Sequence, residues 1–285
     1  MAPRIIHDPA ELRAVCDAAR MQGQRVGLVP TMGALHDGHL SLVTQVGARS
    51  DLRVLTIFVN PLQFAPTDDL DRYPRTLQAD VERCATVGVD IVFAPAPDAM
   101  YPPGFQSHVE VEGITQPLEG EFRPGHFRGV TTVVNKLFNL VGPCAAAFGK
   151  KDFQQWRVLE RMVTDLSMPI EMLGCAIVRE PDGLALSSRN RYLAPHERER
   201  ALGLSRGLRA AEAAWQAGER DAQRLAAITR EHVVACMDRI DYVAAVDPDT
   251  LLPPADAVPE RLVVLIAAHL GTTRLIDNLE LGSPR

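Results

Sequence analysis

The sequence predicts an α/β protein, with a doubly wound parallel sheet followed by a smaller C-terminal α+β domain. Between residues 25 and 178, short β-rich runs alternate with helical stretches, as expected when strands are buried on both faces by crossover helices. Beyond residue 191 the chain becomes rich in Ala, Arg and Glu, and two helices are followed by three strands. These two patterns predict domains at residues 1–186 and 187–285.

In the first domain, strands and helices alternate regularly. The predicted strands lie at residues 25–29, 54–59, 91–94, 145–148 and 172–177. The predicted helices lie at residues 40–49, 77–86, 129–141 and 154–166. This alternation favours a parallel sheet, because two neighbouring parallel strands need a crossover connection that is usually a helix.

The second domain has a different order of elements. Helices are predicted at residues 195–218 and 221–238, and Pro195 suits the first turn of a helix. Strands are predicted at residues 242–246, 262–267 and 274–279, with a Pro-rich loop before the second of them. Since no flexible Gly/Ser linker precedes these elements, we expect a tight junction near residue 187.

Composition and charge favour a small ligand. The 285 residues carry a formal net charge of −6 and contain no block of Lys and Arg, which weighs against a nucleic-acid backbone as partner. No run approaches the roughly 18 apolar residues that span a bilayer, and no apolar stretch follows a basic N-terminal region. Neither a nucleic acid nor a membrane is therefore expected as a partner.

The cysteines indicate a reducing compartment. They are five in number, widely spread, and form no C-x-x-C pair: Cys16, Cys84, Cys144, Cys175 and Cys236. Such a set predicts neither a disulfide framework nor a zinc knuckle. We interpret them as buried thiols of a cytoplasmic protein.

Polar residues follow several of the predicted strands. In open α/β sheets, ligands bind outside the carboxyl ends of the strands, where the strand order reverses. Here those ends lead into residues 30–39, 60–64 and 149–152, all of them rich in polar or glycine residues. The candidate ligand site is therefore expected among these three segments.

The strongest local signal is His36-Asp37-Gly38-His39, between a strand and a helix. Two imidazoles three residues apart near a helix start point the same way, and the free N–H groups there form an anion site. Gly38 permits close approach of a phosphate, and Gly33 with the Thr31 hydroxyl lets the preceding turn wrap it. In nucleotidyl transfer, imidazoles can donate hydrogen bonds to the α-phosphate.

Two other interpretations of the histidine pair stay open. The pair can simply cap a helix or bind metal adventitiously, because the motif is short. Three residues is also a possible zinc spacing, but a zinc site needs a third and usually a fourth ligand. His126 is the nearest further candidate in the sequence.

Two further segments carry charged groups suited to a nucleotide. Lys150, Lys151 and Asp152 follow a strand directly; a Lys there can neutralise phosphate, and an Asp can hold a ribose hydroxyl or a magnesium-bound water. The segment at 186–191 holds two hydroxyls, an amide and two guanidiniums, and can fold over a triphosphate. The alternative for that segment is a polar interdomain loop.

Neutral amides also follow the strands. Gln63 and Gln155 each lie just after a strand or in the next helix's first turn, and a carboxamide suits a substrate that bears hydroxyls and a carboxylate. Asp68, Asp69 and Asp71 form an acidic cluster that could assist magnesium, although such clusters are more often solvated loops.

Taken as a set, these residues closely resemble the pantothenate synthetase (pantoate–β-alanine ligase) family over nearly the whole chain. Any one of these motifs is weak evidence for the family, but six of them in the family's order along the chain are specific. The matching motifs, in chain order, are PTMGALHDGH at 30–39, IFVNPLQF at 57–64, YPR at 73–75, HFRGV at 126–130, FGKKDFQQ at 148–155 and SSRNRYL at 187–193, followed at the end by GTTRLIDN at 271–278.

The resemblance implies a homodimeric cytoplasmic enzyme of the HIGH-type nucleotidyltransferase superfamily. It implies a Rossmann-like N-terminal domain, and a smaller C-terminal domain that closes as a lid over ATP. It further implies Mg²⁺ and a reaction of ATP, (R)-pantoate and β-alanine that yields AMP, pyrophosphate and pantothenate through a pantoyl-adenylate, as part of coenzyme A biosynthesis.

The resemblance also implies roles for individual residues. His39 would be the proton-donating catalytic residue, with His36 and Lys151 as its partners on the phosphates. Gln63 would contact pantoate and β-alanine, and Gln155 pantoate. The ATP site would comprise Met32, Gly33, Ala34, Leu35, His36, Asp37, Gly38, His39, Gly149, Lys150, Lys151, Asp152, Val178, Leu186, Ser187, Ser188 and Arg189.

Two residues depart from the family's usual pattern. Leu186 replaces the usual Met, a swap that conserves volume. Lys150 replaces the usual Glu and reverses a charge beside the expected phosphate site, so we expect an altered pH or magnesium dependence but the same reaction class.

Two rival functions are consistent with parts of the sequence. Another transferase of the same superfamily would join the nucleotide to a phosphate acceptor, and would need basic residues where this chain has Gln63 and Gln155. A non-catalytic nucleotide sensor would not need both His36 and His39 facing a phosphate. An assay of AMP release by the protein mixed with ATP, pantoate and β-alanine distinguishes the ligase from these two rivals.

Overall fold

The computed structural model describes residues 2–65, 70–255 and 258–282. The chain divides into two compact units, of which the first holds residues up to 150 and 155–176, and the second holds 151–154 and residues from 177 onward. Residues 177–186 thus belong with the second unit, where Arg179 forms a bidentate ion pair with the buried Asp277. The sequence-based boundary at 186/187 stays a prediction.

The first unit is built on a six-stranded parallel sheet with the order β1-β4-β3-β2-β5-β6. The chain steps outward from β2 to β3 and β4, then returns to place β5 on the other side of β2. The strand order therefore reverses between β2 and β5. The strands are β1 (Arg4–Ile6), β2 (Val26–Thr31), β3 (Leu52–Ile57), β4 (Ile91–Phe93), β5 (Cys144–Gly149) and β6 (Ile170–Cys175).

Helices connect these strands. They are α1 (Pro9–Met21), α2 (Asp37–Gly47), α3 (Leu77–Thr86), α4 (Pro97–Met100), α5 (Glu119–Phe122), α6 (His126–Val141) and α7 (Phe153–Asp165). Part of the core lies where α2 and α3 pack on the sheet, with Val43, Val46 and Leu55 almost fully buried. The predicted doubly wound α/β class is confirmed.

The second unit combines two helices with an antiparallel sheet of order β7-β8-β9. Its elements are α8 (Pro195–Gln216), α9 (Ala222–Val234), β7 (Arg239–Val246), β8 (Leu262–Leu270) and β9 (Thr273–Leu281). Leu204 and Leu208 of α8 and Ile266 of β8 belong to one buried cluster. The predicted α+β class of this part is confirmed, although each strand runs longer than predicted.

The expectations about membrane segments and thiols can be compared with the described residues. None of their helices is long and apolar enough to cross a membrane. All five cysteines are free thiols, and four of them are buried. Burial raises the pKa of Cys16 to about 11 and that of Cys84 to about 12, so these thiols stay protonated and unreactive at neutral pH.

Candidate active site

The turn after β2 is held by side chains of the sheet itself. Thr31 donates its hydroxyl to the carbonyl of Thr56 at 2.6 Å and accepts the Gly33 N–H at 3.1 Å. Gly33 has φ +83°, and a Cβ there would lie 3.0 Å from Ile57 Cγ2 and 3.1 Å from Asp80 Oδ2. A side chain at this position is therefore both strained and crowded.

A buried carboxylate that sequence reasoning missed holds the next two residues. Asp80 of α3 is only 2% exposed. It accepts the backbone N–H of Ala34 at 3.0 Å, that of Leu35 at 2.8 Å, and the Thr76 hydroxyl at 3.0 Å. Ala34 has the left-handed φ of +50°, a conformation that persists only when its surroundings enforce it. Asp80 therefore fixes the turn that leads into His36.

The two predicted histidines lie at the start of α2, where they form a reciprocal cap. His36 is the N-cap residue, and its carbonyl accepts the His39 N–H at 2.8 Å. The His36 N–H in turn donates to His39 Nδ1 at 3.3 Å, and the two ring centroids lie 4.0 Å apart. Because Nδ1 of His39 accepts, the hydrogen of its neutral ring is on Nε2. His39 can therefore donate a hydrogen bond through Nε2.

The rest of the first turn of α2 supports an anion site. The helix N-terminus places the positive end of its dipole at the histidine pair. Asp37 is exposed and its carboxylate pairs with Arg83 of α3 at 2.5 Å, which ties the beginning of α2 to α3. The capping interpretation and the phosphate interpretation are thus compatible, since the same backbone arrangement serves both.

A second polar cluster follows β3 and centres on Asn60, which is fully buried. Its Nδ2 donates to Gln63 Oε1 at 2.9 Å and to the Gly129 carbonyl at 3.1 Å. Its Oδ1 accepts the Tyr101 hydroxyl at 2.7 Å. Gln63 Nε2 reaches Met32 Sδ at 3.3 Å, so the segments after β2 and β3 meet as predicted for neighbouring strand ends.

Helix α6 presses closely on the same segment. A Cβ on Gly129 would lie 2.2 Å from the Leu62 carbonyl oxygen and 2.6 Å from the Gln63 backbone nitrogen. Only a glycine permits this approach. The backbone of Gln63 is therefore placed by helix packing as well as by hydrogen bonds.

The zinc interpretation of the histidines finds no support in this geometry. His126 Nδ1 contacts the Gln63 carbonyl at 2.9 Å, and its Nε2 lies 3.2 Å from an Arg123 nitrogen. Both ring nitrogens are thus engaged elsewhere. Within residues 2–65, 70–255 and 258–282, no three His, Cys, Asp or Glu side chains are grouped to hold a metal.

At the end of β5, the unusual Lys150 lies against an aromatic ring. Its Nζ is 4.6 Å from the centroid of the Trp156 indole, within the range of a cation–π contact. The indole is packed against β6, since a Cβ on Gly174 would lie 2.6 Å from Trp156 Cε2. Gln155, in the first turn of α7, is partly exposed.

The remaining predicted residues lie in the second unit. The Lys151 carbonyl accepts Asn278 Nδ2 at 2.8 Å, and the Leu186 N–H donates to the Val178 carbonyl at 3.0 Å. Ser187 caps the short 3₁₀ helix Ser188–Tyr192 through the Arg189 N–H. The ATP-binding roles expected for Lys151, Asp152, Val178, Leu186, Ser187, Ser188 and Arg189 stay predictions.

The acidic cluster considered for magnesium is only partly described. Asp68 and Asp69 lie outside the described residues. Asp71 lies in the short 3₁₀ helix Leu70–Arg72 and is exposed.

Fold and site together define an α/β protein of the Rossmann-like type, with a helix N-terminus bearing two imidazoles beside the point where the strand order reverses. This is the arrangement of a nucleotide-binding protein. The sequence model of the family described as Pantoate-beta-alanine ligase matches residues 4–280. The chain therefore belongs to the pantoate–β-alanine ligase family, as predicted.

Individual relatives agree with this assignment. The chain is 55% identical to a pantothenate synthetase of Anaeromyxobacter dehalogenans, over 97% of this chain and 98% of the relative. It is 51% identical to pantothenate synthetase 1 of Bradyrhizobium diazoefficiens, over 98% of each chain.

Solved structures also resemble this one. The pantothenate synthetase of Thermus thermophilus superimposes with a TM-score of 0.92 at 45% identity, covering 98% of this chain and 100% of that one. The pantoate–β-alanine ligase of Francisella tularensis, described as complexed with beta-gamma ATP and β-alanine, gives a TM-score of 0.80 at 31% identity, covering 98% and 97%.

Proposed function

We propose that this chain condenses (R)-pantoate with β-alanine at the expense of ATP, which is split to AMP and pyrophosphate. The observation that carries the proposal is the His36–His39 pair on the N-terminus of α2, beside the reversal of strand order. The complex of the Francisella tularensis relative with beta-gamma ATP and β-alanine supports the same substrates.

The reaction runs in two displacements. A pantoate carboxylate oxygen attacks the α-phosphorus of ATP, and the bond to the bridging oxygen breaks so that pyrophosphate leaves. The amine of β-alanine, having lost a proton, then attacks the acyl carbon of pantoyl-adenylate, and AMP leaves with the former carboxylate oxygen. Adenylation is needed because a free carboxylate would otherwise have to expel oxide.

The first unit supplies groups for the first displacement. His39 donates through Nε2 to an oxygen of the α-phosphate, where negative charge accumulates in the transition state. His36 and the N–H groups of α2 add positive potential at the same point. Gln63 and Gln155 carry no charge, and their amides orient pantoate for attack rather than stabilise a phosphate.

Mg²⁺ enters this proposal as part of the ATP substrate. Since no group of three candidate metal ligands occurs in the described part of the chain, no protein-built magnesium cage is assigned. Mg²⁺ is commonly held by substrate phosphates and waters with one or two carboxylates, and it neutralises phosphate charge when bound.

Two further properties belong to the proposal. We place the enzyme in the cytoplasm, because its substrate is ATP and its thiols are free. We also propose a homodimer, on the resemblance to the family, and expect sedimentation equilibrium to give about twice the mass of one chain.

The activity is tested by product analysis. Purified protein with ATP, Mg²⁺, pantoate and β-alanine is expected to release AMP, pyrophosphate and pantothenate in equal amounts. The chain lacks the G-x-x-x-x-G-K-[ST] loop that marks enzymes cleaving the β,γ-linkage. ADP and phosphate as products would contradict the proposal, and turnover with a phosphorylated acceptor in place of pantoate would favour the rival transferase.

The adenylate intermediate is tested separately by positional isotope exchange. ATP labelled with ¹⁸O in the α,β-bridge is incubated with enzyme, Mg²⁺ and pantoate, without β-alanine. If the adenylate and bound pyrophosphate form reversibly, label is expected to move to non-bridging positions of the β-phosphate. Absence of exchange until β-alanine is added, with binding of ATP and pantoate demonstrated, would rule out a separately formed adenylate and require a concerted or differently ordered mechanism.

A further inference from the structure

The amide of Asn60 has only one orientation that satisfies its backbone neighbours. The Leu62 N–H, which can only donate, lies 3.3 Å from Oδ1. The Gly129 carbonyl, which can only accept, lies 3.1 Å from Nδ2. A flipped amide would oppose donor to donor and acceptor to acceptor. The side chain is fully buried, so solvent offers no replacement for either contact.

The orientation of Asn60 determines that of Gln63. The second hydrogen on Asn60 Nδ2 points at the Gln63 amide at 2.9 Å, and Gln63 must therefore present its oxygen to Asn60. Its nitrogen then faces the other way, where it lies 3.3 Å from Met32 Sδ. A thioether is a weak acceptor, so Nε2 can exchange this contact for an oxygen of a ligand.

Tyr101 extends the hydrogen-bonded chain that the Asn60 and Gln63 amides form. Its hydroxyl donates to Asn60 Oδ1 at 2.7 Å, a shorter contact than the one from Leu62. The ring is fixed by edge-to-face packing on Phe105, with centroids 5.0 Å apart, and lies 6.0 Å from the Phe58 ring. Burial raises the pKa of the Tyr101 hydroxyl, which therefore stays a neutral donor at physiological pH.

We propose that Tyr101 is a positioning residue of the pantoate site: through Asn60 it holds the Gln63 amide so that Gln63 offers Nε2, a hydrogen-bond donor, to an oxygen of pantoate. The inference rests on the proposed function. It adds to that function which end of the Gln63 amide, the donating nitrogen, faces pantoate. It concerns binding of pantoate and leaves the phosphate groups to the histidine pair.

The first test is Tyr101→Phe, which removes one oxygen and keeps the ring. Loss of one buried hydrogen bond is expected to raise the KM for pantoate about tenfold, with the KM for ATP within about twofold of the parent. Tyr242→Phe is the matched control, because it removes a phenol oxygen from β7 of the second unit, and all of its kinetic constants are expected to stay within about twofold.

A merely structural hydroxyl would behave differently. If Tyr101→Phe lowers the melting temperature but leaves the KM for pantoate unchanged, the proposal is overturned. It is also overturned if the KM values for pantoate, β-alanine and ATP all rise by the same factor. The parent enzyme is assayed in the same series, so that absence of turnover by the parent rejects the proposed function and not the positioning role.

A second pair of variants tests whether Gln63 offers its nitrogen or its oxygen to pantoate, without altering Tyr101. Gln63→Glu keeps an acceptor of the same size but loses the donor, whereas Gln63→Met loses both. If Gln63 offers Nε2, the KM for pantoate of Gln63→Glu is expected to exceed that of Gln63→Met by about tenfold or more, since the carboxylate opposes a substrate oxygen. A Gln63→Glu enzyme that binds pantoate better than Gln63→Met would show that Gln63 offers its oxygen, and the inference would be wrong.

Discussion

Replacement of His39 by alanine is expected to lower kcat about 100-fold or more, while the protein keeps its fold. His39 can donate through Nε2, because its Nδ1 accepts the His36 N–H at 3.3 Å. In the mechanism proposed above, the variant removes the donor to the α-phosphate, and loss of one such donor commonly costs about two to three orders of magnitude in kcat. Single-turnover measurement of pyrophosphate release is the direct readout.

A matched control variant and an unfolding measurement distinguish a catalytic role of His39 from a role in capping α2. His232→Ala removes an exposed imidazole from the last turn of α9 and is expected to leave kcat unchanged. The free energy of unfolding of His39→Ala should fall by no more than about 1 kcal/mol, the usual cost of a lost cap. A His39→Ala enzyme within threefold of the parent kcat would mean that the pair only caps α2.

The sequence predicted the elements with strong periodicity and missed the weaker ones. Helix α3 runs from Leu77 to Thr86, as predicted. Strand β1 was missed because three residues carry too little pattern. Helix α1 was also missed, although Asp8 accepts the Glu11 N–H as N-cap and Pro9 occupies the first turn, both of which are readable helix-start signals.

Local motifs predicted which segments meet at the candidate site, while the roles of its residues stay predictions. The neighbourhood of the β2 and β3 ends, where Gln63 meets Met32, followed from the parallel-sheet rule. The supporting residues could not be found this way, because Tyr101 lies 41 residues from Asn60 in sequence. Lys150 illustrates the same limit: its charge was expected beside phosphate, but only the structure places its Nζ over the Trp156 ring.

The second large effect is expected for Asp80→Asn, which keeps the volume of a buried side chain and changes its hydrogen bonding. Asp80 accepts two backbone N–H groups, from Ala34 and Leu35. The asparagine has one oxygen for these two donors, so its NH₂ group must face one of them. We expect a loss of about 2–4 kcal/mol in the free energy of unfolding, since one buried donor is left unpaired in a region that water does not reach.

The effect of Asp80→Asn on local structure should be largest at the turn formed by residues 33–36. Ala34 adopts φ +50°, and once the carboxylate no longer holds it, the turn can relax toward an ordinary conformation. Residues 33–36 would then no longer present the start of α2 in one arrangement. The amides of Ala34 and Leu35 are expected to lose protection in hydrogen exchange, and the KM for ATP is expected to rise.

Glu82→Gln provides the comparison that makes this result specific. It is the same carboxylate-to-amide change on the same helix, at an exposed position where the Glu82 carboxylate accepts Gln78 Nε2 at 3.2 Å. Its effect on stability should stay within about 0.5 kcal/mol. If Asp80→Asn and Glu82→Gln behave alike in denaturation and in exchange at Ala34 and Leu35, then Asp80 does not hold the turn. The conformation at Ala34 would then have to be enforced by the packing of Leu35, which is 5% exposed, and by the Thr31 hydroxyl that accepts the Gly33 N–H.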